Sequence, residues 1–354
     1  MKNPFKWFSR NKKNEAKDKA FKEPSPTMDA RKEEEDIYSA DAPLANPEFD
    51  LFNRKGFSER IAQTIAKRSE KESLVVGIYG KWGSGKTTVL NFIENELKQH
   101  PNAETIFFNP WIFPSETELF VAFYTELSKA ISKSLKTKGE HIADEIEKYV
   151  GAVASFFDRA DAVKKLKSLM ISEASLEELR DRIGRILVEQ NKLVVILIDD
   201  IDRLDKNEIH SIFRLIKKSA NLQNVVYIVA FDRDIVATSL NERYGDHETN
   251  SGQSFLEKII QVPVALPKIP QNDLRNFCFL QIDKALQTND IELTETETQE
   301  FVRHFIDGIE IRLKTPRMAI RYANMLNFSL PLVKGEVHMA DFLLIEAIRA
   351  FYPN

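Results

Sequence analysis

Gly80-Lys81-Trp82-Gly83-Ser84-Gly85-Lys86-Thr87, with Thr88 behind it, decides how this chain is read. The stretch fits G-x-x-x-x-G-K-[ST] without a gap. Glycine backbones reach positive φ and bring several N–H groups round one phosphate, and a helix starting behind them adds its positive N-terminal end. On this reading Gly80 through Thr88 bind the phosphates of a nucleoside triphosphate, Lys86 meets the β- and γ-phosphates, and the Thr87 hydroxyl binds Mg²⁺. The flanks separate a phosphate loop from a plain glycine turn. SLVVGIYG (73–80) is an apolar strand pattern, and VLNFIENELKQ (89–99) carries Leu90, Ile93 and Leu97 at helical spacing.

Outward from the loop, Leu193 to Ile198 is a second apolar strand pattern, and it ends in Asp199-Asp200. Open α/β sheets bind ligands at the carboxyl ends of their strands. Asp199 is therefore expected to hold the water shell of Mg²⁺, and Asp200 to orient or deprotonate an attacking water. Asp202 and Arg203 follow, with two readings left open: a local ion pair, or a part in the site. Asp232 ends a further strand pattern, VVYIVAFD (225–232), and Arg233 follows it. If that strand lies between the first and third, Asp232 sits beside the γ-phosphate; the alternative is a cap on the next turn. Thr315-Pro316-Arg317 reads as an N-cap, a proline at the first helical position and a basic residue in the first turn. A helix dipole disfavours a cation there, so a partner is expected to hold Arg317, either the nucleotide phosphates or a surface acid.

Around these points the chain divides into three. Residues 1–40 are rich in Lys, Glu, Asp and Pro and read as a disordered tail. Phe5, Trp7 and Phe8 sit there among Lys2, Lys6, Arg10, Lys12 and Lys13, either as a solvated segment or as a weak peripheral contact with an anionic membrane. Residues 41–268 read as the nucleotide-binding core. It begins with a helix carrying Phe57, Ile61 and Ile65 and continues through the loop to a second strand, TIFFNPW (105–111). Capping boxes at Ser115/Glu118 and Ser175/Glu178 open helices carrying Phe120, Phe123, Leu127 and Ile131, and Leu179, Ile183 and Leu187. Between them, about 136–172 is a helical insertion. A helix with Ile209, Phe213 and Ile216 precedes the 225–232 strand, and a polar loop near Gly245 to Gly252 leads to IIQVPVALP (259–267). Alternating strands and helices imply a mostly parallel sheet covered on both faces. Residues 269–354 carry four helical patterns and read as a lid, near 272–286, 295–306, 316–329 and 341–351.

Composition narrows the class. Lys+Arg 50 against Asp+Glu 54 gives a net charge of -4, which offers no basic field for nucleic acid. The single cysteine, Cys278, excludes an internal disulfide and a multi-cysteine zinc site, in keeping with a cytoplasmic protein. No apolar run approaches the roughly 20 residues that span a bilayer. The start MKNPFKWFSRNKK lacks the apolar stretch of an export signal.

With these residues in view, the chain resembles the KAP family of P-loop NTPases, a group that includes phage-exclusion proteins of bacteria and a membrane scaffold of animal neurons. The resemblance rests on Asp50-Leu-Phe-Asn-Arg54, GIYGKWGSGKTT, Phe108-Asn109-Pro110-Trp111, LIDDIDRL, AFDRDIV, FLEKIIQ (255–261), TPRMAIRYAN and DFLLIEAIRAF. It implies a three-layer α/β/α core of five strands, with an extra strand between the loop strand and the carboxylate strand, and a helical region after it. It also implies that Asp50 and Arg54 lie near the base or ribose. Two features depart from the family pattern. Pro110 stands where alanine usually precedes the tryptophan, and the 136–172 insertion lacks the membrane helices that many members carry there. The chain also stops in a helix where relatives often go on.

The function expected is a Mg²⁺-dependent ATPase switch in bacterial defence against phage, read by a protein effector or a second copy, in the cytoplasm or at the inner face of the membrane. A nucleotide-holding scaffold with negligible turnover and a small-molecule kinase are the alternatives. Asp200 keeps the scaffold in play, because aspartate is one carbon shorter than the glutamate many related ATPases use. No guanine-selecting motif follows the fourth strand, which favours ATP over GTP. Arg203, Arg233 and Arg317 are candidates for an arginine finger.

Overall fold

The computed structural model describes residues 41–113, 116–135, 181, 183–219, 222–244 and 251–353. The expected tail, the insertion, Ser115, the Ser175 capping box and residues 245–250 of the polar loop lie outside them. The described residues form two compact units, 43–267 and 268–353 with 41–42.

The first unit runs α1 (Arg54–Ala66), β1 (Leu74–Tyr79), α2 (Lys86–Leu97), β2 (Ala103–Phe108), α3 (Glu116–Leu135), β3 (Leu193–Ile198), α4 (Lys206–Ser219), β4 (Val225–Phe231), α5 (Arg233–Tyr244), α6 (Ser251–Glu257) and β5 (Val262–Ala265). Residues 183–189, ahead of β3, are also helical. The strands form one five-stranded sheet in the order β2-β3-β4-β1-β5. Every neighbouring pair is parallel, so the sheet expected to be mostly parallel is parallel throughout. The β4 strand lies between β1 and β3, as the extra strand should.

The sequence of each strand matches its place. All of β4 is buried and β3 nearly so, and both are continuous apolar runs, as strands covered on both faces must be. Alternate residues feed opposite layers. Ile196 and Ile198 pack with Tyr227 and Phe231 against Phe123, Leu127, Phe213 and Ile216, on the face of α3 and α4. Val195 and Leu197 pack with Ile228 against Ile65, Leu90 and Ile93, on the face of α1 and α2. The edges are more open, with Phe107 of β2 and Val262 of β5 both exposed.

The reading of the stretch after β4 needs correction. Arg233–Tyr244 is a helix, and Ser251 and Gly252, read as the end of a polar loop, open α6. The α5 helix mixes apolar and polar residues without a clean stripe, so periodicity is a poor guide to it. Gly252 has a packing reason: a Cβ there would stand 2.1 Å from the Ala237 carbonyl oxygen, and its N–H donates to Asn241 Oδ1 at 2.6 Å.

The second unit contains α7 (Gln271–Thr288), α8 (Glu295–His304), α9 (Pro316–Val333) and α10 (Met339–Phe351). Leu274, Cys278 and Ile282 line one side of α7 at i, i+4 spacing and meet Phe301, Phe305, Tyr322, Leu326, Leu343 and Phe351 in a single core. Thr294 and Glu297 form a complete capping box at the start of α8. Burial pushes the Cys278 thiol up, which makes it a core residue and not a reactive one. Among the described residues no helix is long and apolar enough to cross a membrane.

Candidate active site

Parallel strands put all their carboxyl ends on one edge, and that edge gathers the loop after β1, the acids after β3 and the acid after β4. The loop has the backbone its glycines allow. Gly83 and Gly85 hold φ of 76° and 91°, and Gly85 is the N-cap of α2. Gly80 donates its N–H to the Phe231 carbonyl at 3.2 Å, which ties the loop to β4. Ser84 turns its hydroxyl back to the Lys81 carbonyl at 2.6 Å. Trp82 stands half out of the surface, at 51% exposure.

Thr87 and Asp199, the two residues expected at a metal, meet: the Thr87 hydroxyl donates to Asp199 Oδ2 at 2.5 Å. Asp199 is buried, and burial pushes its carboxyl up from its ordinary value, while the Thr87 hydroxyl and the Asp200 N–H pull it back. Asp200 is left-handed, with φ 59°, a conformation that aspartate tolerates better than most residues. Its N–H donates to Asp199 Oδ1 at 2.9 Å, and its carboxylate lies 2.8 Å from Arg203 Nε. Asn109, from the Phe-Asn-Pro-Trp segment, reaches its other oxygen at 3.5 Å. Arg203 also sits over the Trp111 ring, 5.8 Å from its centroid.

Lys86 is closed to solvent and donates to Asp202 Oδ2 at 2.9 Å and to the Gly80 carbonyl at 3.2 Å. Asp232 is buried and accepts from Lys81 Nζ at 3.4 Å and from the Asp234 N–H at 3.1 Å. It therefore caps the first turn of the next helix and also reaches the lysine of the loop. Lys81 reaches Asp234 as well, at 2.5 Å. That bond is the main reason the lysine is held above its ordinary value and the carboxyl below its own.

The remaining sequence candidates fall as follows. Arg54 is buried and spends its fork on the carbonyls of Ser84, at 3.5 Å, and Pro267, so it braces the loop from α1. Asp50 accepts from the N–H groups of Phe52, at 3.0 Å, and Lys55, at 2.8 Å, and so closes the turn into α1. The Thr88 hydroxyl accepts from the Leu44 N–H at 3.2 Å. Arg317 lies in the helical unit, where Asp41 holds its guanidinium. Arg233 pairs with Glu257 at 3.4 Å and covers the Tyr79 ring.

Sequence reading left the role of Asp202 open and missed the pairing of Lys81 with Asp232 and Asp234. A basic residue inside the loop and an Asp-Arg-Asp run after a strand were the available signals. The bracing role of Arg54 had none, because it depends on the carbonyl of a residue 213 positions away.

An all-parallel sheet with a glycine loop, a buried lysine and a hydroxyl–carboxylate pair at its carboxyl edge defines a P-loop NTPase. The model of the KAP family P-loop domain matches residues 54–333, and the chain belongs to that family. It is 28% identical over 352 residues to the phage T7 exclusion protein of Escherichia coli K12, with 88% of this chain and 46% of that protein covered. The chain thus spans about half the length of that relative. Among solved structures it is similar to the Aeropyrum pernix ORC1 protein in complex with DNA, at 16% identity, 86% and 68% coverage of the two chains and a TM-score of 0.43. It is also similar to the Aeropyrum pernix ORC2 protein, at 14% identity, 89% and 71% coverage and a TM-score of 0.41.

Proposed function

We propose that this chain is a Mg²⁺-dependent ATPase working as a nucleotide-controlled switch in defence against phage. The observation that carries the reading is the meeting of Thr87 and Asp199 across two strand ends, beside Lys86. Mg²⁺ keeps several of its waters and takes only one or two protein ligands, so one hydroxyl and one carboxylate suit it. A bound Mg²⁺ neutralises charge on the phosphate oxygens. The chain's own residues do the rest. The loop from Gly80 through Thr88 cradles the phosphates, with the Gly80 N–H kept by the Phe231 carbonyl, Lys86 adds a cation, and Asp200 aligns or deprotonates a water. The phage role rests on the resemblance to the exclusion protein, and a partner protein reads the nucleotide state.

A second reading has its own support. Asp200 is held by Arg203 at 2.8 Å, which occupies the proposed base and suits a scaffold that holds nucleotide with negligible turnover. Single-turnover release of phosphate from ATP and from GTP, over a range of protein concentrations, separates the two. Release that needs Mg²⁺ supports the ATPase, and binding without release supports the scaffold. Lys86→Ala should weaken triphosphate binding about a hundredfold, since charge-assisted bonds to phosphate are among the strong ones. Unchanged affinity in that variant would remove the loop from the site.

A further inference from the structure

Two acids follow Asp199, and they turn to different partners. Asp200 meets Arg203 beside the half-exposed Trp111. Asp202 turns inward, where one oxygen, Oδ2, accepts from Lys86 Nζ at 2.9 Å and from the Asp232 N–H at 3.3 Å. The two side chains of this ion pair are only 7% and 3% exposed. A buried pair is balanced only while both partners keep it, because each charge alone has lost its water. The Lys86 ammonium is also the group that the proposed function gives to the nucleotide.

We propose that Asp202 is the resident counterion of Lys86, which the β- and γ-phosphates must displace, so that Asp202 sets how tightly nucleotide is held. The proposal rests on the nucleotide-binding reading above. A phosphate that captures Lys86 parts it from Asp202 and leaves Oδ2 of a buried carboxylate to the Asp232 N–H. That loss is subtracted from the binding free energy of every ligand that captures Lys86. The exchange also has a path outward. Asp202 holds the backbone of Asp232, the Asp232 carboxylate holds Lys81, and Lys81 holds Asp234 in the first turn of α5. Asp202 acts through Lys86 and is a positioning residue.

The test is a double-mutant cycle on the full chain, with affinity for a fluorescent ATP analogue measured in wild type, Asp202→Asn, Lys86→Ala and the double variant. Removing a negative charge near phosphate tightens binding by simple repulsion whatever its partner, and the cycle separates that effect from counterion exchange. Asp202→Asn should tighten binding about tenfold when Lys86 is present and about twofold or less when it is alanine, a coupling within the range found for residues that share one ion-pair network. Asp202→Glu, which keeps the charge, should stay within about threefold of wild type on the same grounds. An equal gain in both backgrounds, or no gain in Asp202→Asn, overturns the proposal. Should Asp202→Asn fail to fold, Asp202→Ser enters the same cycle and decides it in the same way. A wild-type chain that binds no nucleotide defeats the functional reading itself, whereas wild-type binding without coupling defeats only the role of Asp202.

Discussion

The two units bury charge in different ways. In the helical unit the partners are mostly near in sequence: Asp283 accepts from Gln287 one turn on, at 3.0 Å, and Glu346 meets Arg349 at 3.5 Å. Two pairs there reach further: Arg275 to Glu310 at 3.0 Å joins α7 to the segment before α9, and Arg317 of α9 is held by Asp41. In the α/β unit the partners are remote. Lys86 and Asp202 are 116 positions apart, Thr87 and Asp199 are 112 apart, and Lys81 and Asp232 are 151 apart. Near pairs strengthen a helix or its junctions at modest gain. Remote pairs converge on one point only because parallel strands end on one edge, and desolvated charges gathered at such an edge mark a ligand site.

Three substitutions sharpen or break that contrast. Asp200→Asn should leave nucleotide affinity nearly unchanged and lower single-turnover hydrolysis by about 10²–10⁴-fold, the usual contribution of a general base. A large loss of affinity instead would mean that Asp200 helps to hold nucleotide or the fold, and the division of labour at the edge would fail. In the helical unit the large effects should come from the aromatic core. Phe301 is fully buried and packs with Phe279 and Phe305 at centroid distances of 6.1 and 5.5 Å. Phe301→Ala should cost about 3–5 kcal/mol of stability, read by urea denaturation. A cost below about 1 kcal/mol would show that this core collapses around the gap.

The smallest effect belongs to the capping box. The Glu297 carboxylate accepts from the Thr294 N–H at 2.9 Å, and that bond is the main reason its carboxyl lies below the ordinary range. A depressed carboxyl contributes stability above its unfolded value, about 4.3, and loses it as pH falls through the lower folded value. Glu297→Ala should therefore cost about 0.5–1 kcal/mol at pH 7, and the charge-dependent part of that cost should vanish in strong acid. A difference that stays constant with pH would assign the effect to helix propensity alone.

Much of this was legible in the chain itself because the signals are local. The apolar run Leu193–Ile198 reads as a buried strand without knowledge of its neighbours, and the glycine spacing before Lys86 reads as a phosphate loop. The helices of the second unit declare themselves by apolar residues one turn apart, and the observed ranges match the expected ones closely. The α5 helix was not legible, because its apolar residues form no clean stripe. Arg317 shows how far dipole reasoning reaches: a holding partner was expected, and Asp41 supplies it, but nothing local in the sequence names that acid.

Apart from α5 and the start of α6, the sequence by itself determined the kinds of element, the loop and the acids that end its strands, since each depends on residues within a turn or a strand of one another. Only the tertiary structure decided which acid belongs to which base. Asp200 and Asp202 differ by two positions, yet the 3₁₀ turn at Ile201–Arg203 sends one to Arg203 and the other to Lys86. Charges choose partners by distance and desolvation, and both are set by how strands 1, 3 and 4 lie side by side.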